Sequence, residues 1–146
     1  MHEVDFVLKN GDRIGLIGPN GSGKTTLFYI IMGLLKPISG QVAIFGKTAY
    51  KEKDFRIIRE KIGLLFQNSD DQLFCPTVME DVAFGPLNLG KSPDEAVSMA
   101  RKTLDSLGIS SLENRISHKL SYGEKKLVSL ATVLAMQPEA LILDEP

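Results

Sequence analysis

Apolar residues in this chain fall into short runs and helically spaced stripes, divided by glycine, proline and acidic turns. Val4 to Leu8 mixes Val, Phe and Leu with Asp in the manner of a strand. Asn10-Gly11 then has the chemistry of a hairpin turn into Arg13–Ile17, a short apolar run of the kind a buried parallel strand shows. Leu27, Ile30, Ile31, Leu34 and Leu35 recur at helical spacing until Lys36-Pro37, which predicts a helix from about Lys24. Further strands are expected over Gln41–Phe45, closed by Gly46, over Ile62–Phe66 and over Ala140–Leu143. A polar helix with Phe55 and Ile58 turned inward fits 51–60. From 68 to 118 the pattern changes to short helical stretches, prolines and acidic clusters. Ser92-Pro93-Asp94-Glu95 supplies an N-cap serine, a proline at the first helical position and a capping-box glutamate, and that helix should run to Leu107 and stop at Gly108. A further helix should start at Ser121 and reach about Ala135, ahead of Pro138. The pattern is that of an α/β fold interrupted by a mostly helical insertion.

The turn between the second strand and the first helix carries chemistry. Gly18-Pro19-Asn20-Gly21-Ser22-Gly23-Lys24-Thr25 fills every fixed position of G-x-x-x-x-G-K-[ST], the phosphate-binding loop. Glycines let the backbone turn tightly and bring N–H groups against phosphate oxygens with no Cβ in the way. Lys24 can reach the β- and γ-phosphates, and the Thr25 hydroxyl can take a position on Mg²⁺. The helix behind them directs its positive end at the same anion. These eight residues and the following Thr26 are the expected nucleotide-binding set, with ATP and Mg²⁺ as ligands.

Bulk properties narrow the partners. The 146 residues are 43% hydrophobic and carry a net charge of −1, so one ordinary core is affordable and no basic stripe points to nucleic acid. The single cysteine, Cys75, excludes an internal disulfide framework and suits a reducing cytosol; its expected role is packing. No secretory leader is evident at Met1-His2-Glu3-Val4-Asp5, and no apolar run is long enough to span a bilayer, so any membrane role is expected to come through a partner.

A second element has the same chemistry. Leu141-Ile142-Leu143-Asp144-Glu145 is an apolar strand that delivers two acids at its C-terminal end, the form of a Walker B element. Asp144 would hold Mg²⁺ opposite Thr25, and Glu145 would act as general base on the attacking water.

Leu120-Ser121-Tyr122-Gly123-Glu124 resembles the LSGGQ signature of ATP-binding-cassette ATPases, Gln67 matches the glutamine of that family's Q-loop, and Asp144-Glu145-Pro146 matches its Walker B ending. The resemblance covers essentially the whole chain. It implies a P-loop NTPase core over 1–67 and 136–146, mostly parallel sheet with flanking helices and a small antiparallel β element, and a helical subdomain over 68–135. It also implies that Gln67 touches both the chemistry and the Mg²⁺, with Lys24 and Glu145 as the other catalytic residues. Ser121, Tyr122, Gly123 and Glu124 would face an ATP held by a second subunit, homologous or identical, placed head to tail. Phe66–Phe74, Thr77–Pro86 and Glu124-Lys125-Lys126 are similar to the cobalt/nickel and energy-coupling-factor branch. In that branch this stretch meets a transmembrane coupling protein, so the chain would sit on the cytoplasmic face of the cell membrane.

The chain departs from the family in three places. Tyr122 replaces a signature glycine, and its ring either crowds the partner's phosphate or swings outward. A D-loop and switch histidine do not follow Glu145, and no adenine-stacking aromatic is visible ahead of Val4. The expectation is therefore an ATP-binding importer subunit incomplete at both ends, with a non-hydrolysing nucleotide-binding remnant and a soluble ABC-type ATPase as the alternatives.

Overall fold

A computed structural model describes residues 4–145, which divide into two units, one ending at Tyr50 and the other beginning at Lys51.

In the first unit, α1 spans Lys24–Ile31. It ends four residues before the last apolar position of the predicted stripe. Gly33 adopts φ 70°, its N–H donates to the Ile30 carbonyl, and the Leu34 N–H reaches back to Tyr29 at 2.8 Å. This is the Schellman ending that a glycine just past the last turn favours. Val42–Ile44 (β1) and Lys47–Ala49 (β2) pair antiparallel, joined by Phe45-Gly46 with both residues at positive φ. Gly46 therefore turns the chain into a second strand that the sequence reading did not anticipate. The strands expected at Val4–Leu8 and Arg13–Ile17 do not form. The turn between them does form: the Asp12 N–H donates to the Lys9 carbonyl at 3.0 Å, and the Asp12 carboxylate accepts from the Lys9 N–H at 2.8 Å. Its flanks find no ladder partner among the described residues, and Ile17 is fully exposed. An apolar run becomes a strand only when another backbone satisfies its N–H and C=O groups.

In the second unit, α2 (Glu52–Lys61) runs directly into β3 (Ile62–Leu65), with Ile58 buried as expected. β3 pairs parallel with β4 (Ala140–Leu143) in the register Ile62↔Ala140 to Leu65↔Leu143. Between these strands run three helices: α3 (Val78–Asn88), α4 (Pro93–Ser106) and α5 (Tyr122–Leu134). Each opens on a capping box, with Thr77, Ser92 or Ser121 facing a glutamate three residues on. The box at Ser92 and the helix start at Ser121 were legible in the sequence. Helix α3, which carries Pro86 in its last turn, was read only as a short helical stretch. The core lies where the three helices meet, around Val78, Val82, Ala96, Ala100, Leu104 and Val128, all fully buried. Gly63 lets α5 close on β3: a Cβ there would lie 2.2 Å from Val133 Cγ1. The result is an α/β arrangement with a helical insertion, as the pattern predicted, and with the small antiparallel β element that the resemblance implied.

Candidate functional site

Glycine geometry builds the loop of the first unit. Gly21 and Gly23 take φ of 79° and 96°, a region costly for any residue with a Cβ, and Gly23 is the N-cap of α1. The Ser22 N–H donates to the Pro19 carbonyl at 3.2 Å, and a Cβ on Gly18 would meet Ser22 Oγ at 2.8 Å. Lys24 folds back over this turn, its ammonium donating to the carbonyls of Gly18 at 3.0 Å and Pro19 at 3.2 Å. Thr25 is half-buried and Thr26 exposed in the first turn of α1, which holds no acidic residue to offset its positive end. Asn20 lies in the exposed bend of the loop. Glycine backbone, lysine and helix terminus thus gather donors and positive charge in one turn, the arrangement that binds an anion.

In the second unit, the parallel pairing of β3 and β4 sets their C-terminal ends side by side, and the Asp144 N–H extends the ladder by donating to Leu65 at 3.0 Å. Gln67 follows one strand; Asp144 and Glu145 follow the other. Asp144 is 3% exposed, and its Oδ2 has no hydrogen-bond partner among the described residues. A buried acceptor left in that state calls for a ligand or water. Glu145 stands at φ 48°, outside the regions favoured by residues with a side chain, and its carboxylate accepts from Gln67 Nε2 at 2.6 Å.

Ser121, the N-cap of α5, accepts from the Glu124 N–H at 3.4 Å, while the Glu124 carboxylate accepts from the Ser121 N–H at 2.7 Å. That backbone bond, followed by the serine hydroxyl, holds the Glu124 carboxyl below its ordinary value. Tyr122 is 72% exposed, and the space where Gly123 would carry a Cβ is open.

Two residues without a role in the sequence reading tie this unit together. Gln72 accepts from the Phe66 N–H at 3.2 Å and donates to the Ser129 carbonyl and Thr132 hydroxyl of α5, both at 2.8 Å. Lys126 donates to the carbonyls of Gln67 at 2.8 Å and Glu145 at 2.9 Å. Their partners are distant in sequence, and no local pattern marks either residue. Beyond Gln67, Phe74 and Phe84 stack edge to face at 4.8 Å and remain exposed, beside an open apolar groove lined by Cys75, Met79, Leu87 and Val97. Burial pushes the Cys75 thiol up to about 11, reinforced by the Asp81 carboxylate, so it is not a ready nucleophile. Among the described residues no helix is long and apolar enough to cross a membrane.

A protein-family model described as ABC transporter matches residues 1–146. An energy-coupling factor transporter ATP-binding protein of Methanothermobacter thermautotrophicus is 51% identical over 144 residues, 98% of this chain and 46% of that protein. Among solved structures, cbiO1 of Clostridium perfringens, part of the ABC transporter complex cbiONQ, shares 44% identity with a TM-score of 0.78, over 89% of this chain and 52% of its own. An ATP-binding cassette in a dimeric post-hydrolysis state, bound to ADP and Pi, gives a TM-score of 0.86 at 28% identity, over 95% of this chain and 62% of its own. The chain spans about half the length of the curated relatives it matches, 51%, 61% and 46% of the first three.

Proposed function

The chain belongs to the ABC transporter family, and on that premise we propose that it is the ATP-binding part of an energy-coupling importer, driving uptake of cobalt or nickel ions or of a vitamin. The observation that carries the proposal is the convergence of Gln67, Asp144 and Glu145 at the ends of two paired parallel strands. The complete phosphate loop of the first unit, taken by itself, supports the same reading.

The residues fit both ligands. Gly21, where a Cβ would meet nothing, keeps the loop backbone open to phosphate oxygens, and in the second unit the buried Asp144 oxygen that has no partner among the described residues suits a hard cation with Gln67 as companion. When bound, Mg²⁺ supplies neutralisation of phosphate charge. The loop N–H groups and Lys24 orient the triphosphate of ATP. Glu145 accepts the proton of a water as its oxygen bonds to the γ-phosphorus, and ADP leaves as the bond to the β–γ bridging oxygen breaks. Gln67, bonded to that carboxylate, holds the base in place.

Ser121, Tyr122, Gly123 and Glu124 are proposed to face the nucleotide of a second such subunit in a two-fold, head-to-tail pair. The dimeric state of the ADP-bound neighbour supports this reading. Exposed Phe74 and Phe84 beside the groove favour a transmembrane coupling protein as the partner over Gln67–Pro86, and cbiO1 being part of a cbiONQ complex agrees. The chain would then lie on the cytoplasmic face of the membrane.

The test is ATP binding and hydrolysis by the complete protein with its subunit partners. Lys24→Ala should remove nucleotide binding, and Glu145→Gln should retain binding while turnover falls by about a hundredfold or more. Binding indifferent to Lys24→Ala would overturn the proposal.

A further inference from the structure

Adjacent lysines on α5 go to different kinds of partner. Lys125 makes an ion pair with the exposed carboxylate of Asp70 at 2.5 Å. Among the described residues Lys126 meets no carboxylate; its ammonium donates to two main-chain carbonyls, those of Gln67 and Glu145. Those are the residues whose side chains bond to one another at 2.6 Å. One cation therefore fixes both backbones of a side-chain pair that bridges two strand ends.

We propose that Lys126 is a positioning residue for the Gln67–Glu145 pair, holding the main chain of both so that the glutamate carboxylate is aimed at its water. The inference rests on the reading of Glu145 as the general base. Three observations support it. Glu145 sits at φ 48°, a conformation that persists only where its surroundings impose it, and the Lys126 bond to its carbonyl is such a constraint. Donation from a charged ammonium to a carbonyl is stronger than a neutral hydrogen bond, and two of its three donors are already committed here. The lysine also stands on a rigid support: Val128, Ser129 and Ala131 of α5 are fully buried, and Gln72 ties the same helix to Phe66, next to Gln67. Because Ser121 caps this same helix, the placement of the signature residues and the placement of the Glu145 backbone are not independent.

The experiment is steady-state ATP hydrolysis by the complete assembly carrying Lys126→Ala, Lys126→Arg, Lys125→Ala or Glu145→Gln, with the melting temperature of each variant. Loss of positioning should lower kcat about tenfold or more for Lys126→Ala and leave the KM for ATP within about twofold. Lys126→Arg, which keeps a charged donor of sufficient reach, should recover most of that loss, and Lys125→Ala should match the parent. The inference is overturned if Lys126→Ala keeps its kcat, if KM alone changes, or if Lys125→Ala loses as much. Should Lys126→Ala fail to fold, Lys126→Gln carries the same comparison, with one amide donor on a similar stem. A parent assembly without turnover, or one indifferent to Glu145→Gln, would instead reject the ATPase reading itself.

Discussion

Gln67 and Glu145 lie 78 positions apart and meet through a 2.6 Å hydrogen bond from the amide nitrogen to the carboxylate. The contact exists because β3 and β4 run parallel in register, so the residues just past their ends emerge together. It is solvent-exposed, so its net contribution to stability is small, while its effect on where the carboxylate points is large. Gln67→Ala should therefore change stability by less than about 1 kcal/mol yet lower ATP turnover by about tenfold. Denaturant titration and kcat on the same preparation check the two halves. A loss of stability matching the loss of rate would mean the bond is structural.

The contact between Gly63 and Val133 makes a packing prediction independent of function. An alanine methyl at 63 would meet Val133 Cγ1 at 2.2 Å, inside any tolerable separation, in a strand buried along its whole length. Gly63→Ala should destabilise by about 1–3 kcal/mol. The double variant with Val133→Ala should lose less than the sum of the single changes, because removal of the valine methyls opens the space the new one needs. Strict additivity in a double-mutant cycle would show that the strain lies elsewhere.

Legibility in the sequence followed how local each signal was. The helix from Pro93 and the helix from Tyr122 were readable from their first residues, since an N-cap and its glutamate act within one turn. Ala140–Leu143 was readable as a four-residue apolar run before two acids. The segments Val4–Leu8 and Arg13–Ile17 were misread because a strand is a relation to a partner, and alternation says nothing about who that partner is. Lys47–Ala49 was missed because its direction depends on Phe45 taking a positive φ, which phenylalanine rarely does. At the site, the phosphate loop is contiguous and was visible in full. Gln67 was named through resemblance and Glu145 from the apolar strand that ends in two acids, but their contact, like those of Gln72 and Lys126, depends on strand pairing and helix placement that no single segment encodes.

Two of the capping boxes carry a pH signature. The carboxyls of Glu95 and Glu124 both lie below the ordinary value of 4.5, first through backbone N–H bonds from Ser92 and Ser121 and then through the serine hydroxyls. A depressed folded-state pKa stabilises the protein above the unfolded value, and that contribution disappears as the pH falls through the folded one. Melting temperatures should accordingly fall below about pH 4.5, and Glu95→Gln should flatten that part of the profile. Ser92→Ala, which removes the hydroxyl from the N-cap of α4, should cost about 1 kcal/mol at neutral pH. An unchanged acid limb in Glu95→Gln would assign the pH dependence to other carboxylates.

Asp81 joins two stretches that flank the signature and Q-loop regions, and its removal should be the most damaging polar change in the second unit. The carboxylate is 3% exposed and accepts from the N–H groups of Phe74 at 3.0 Å and Cys75 at 2.8 Å and from the Ser117 hydroxyl at 2.5 Å. Asp81→Ala would strand all three donors, at a cost of about 3 kcal/mol, whereas Asp81→Asn keeps an acceptor for the backbone donors and lets Ser117 reverse its bond. Cys75 reports on the same charge. With its pKa pushed up to about 11, first by burial and then by Asp81, only about a thousandth of the thiol is ionised at pH 8. Alkylation should be slow in the parent and faster in Asp81→Asn, which lifts the carboxylate's contribution but leaves the burial. If Asp81→Asn accelerates labelling while holding its melting temperature, the charge at 81 governs the thiol. If labelling speeds up only in proportion to lost stability, opening of the Phe74–Cys75 turn is responsible, and the electrostatic assignment fails.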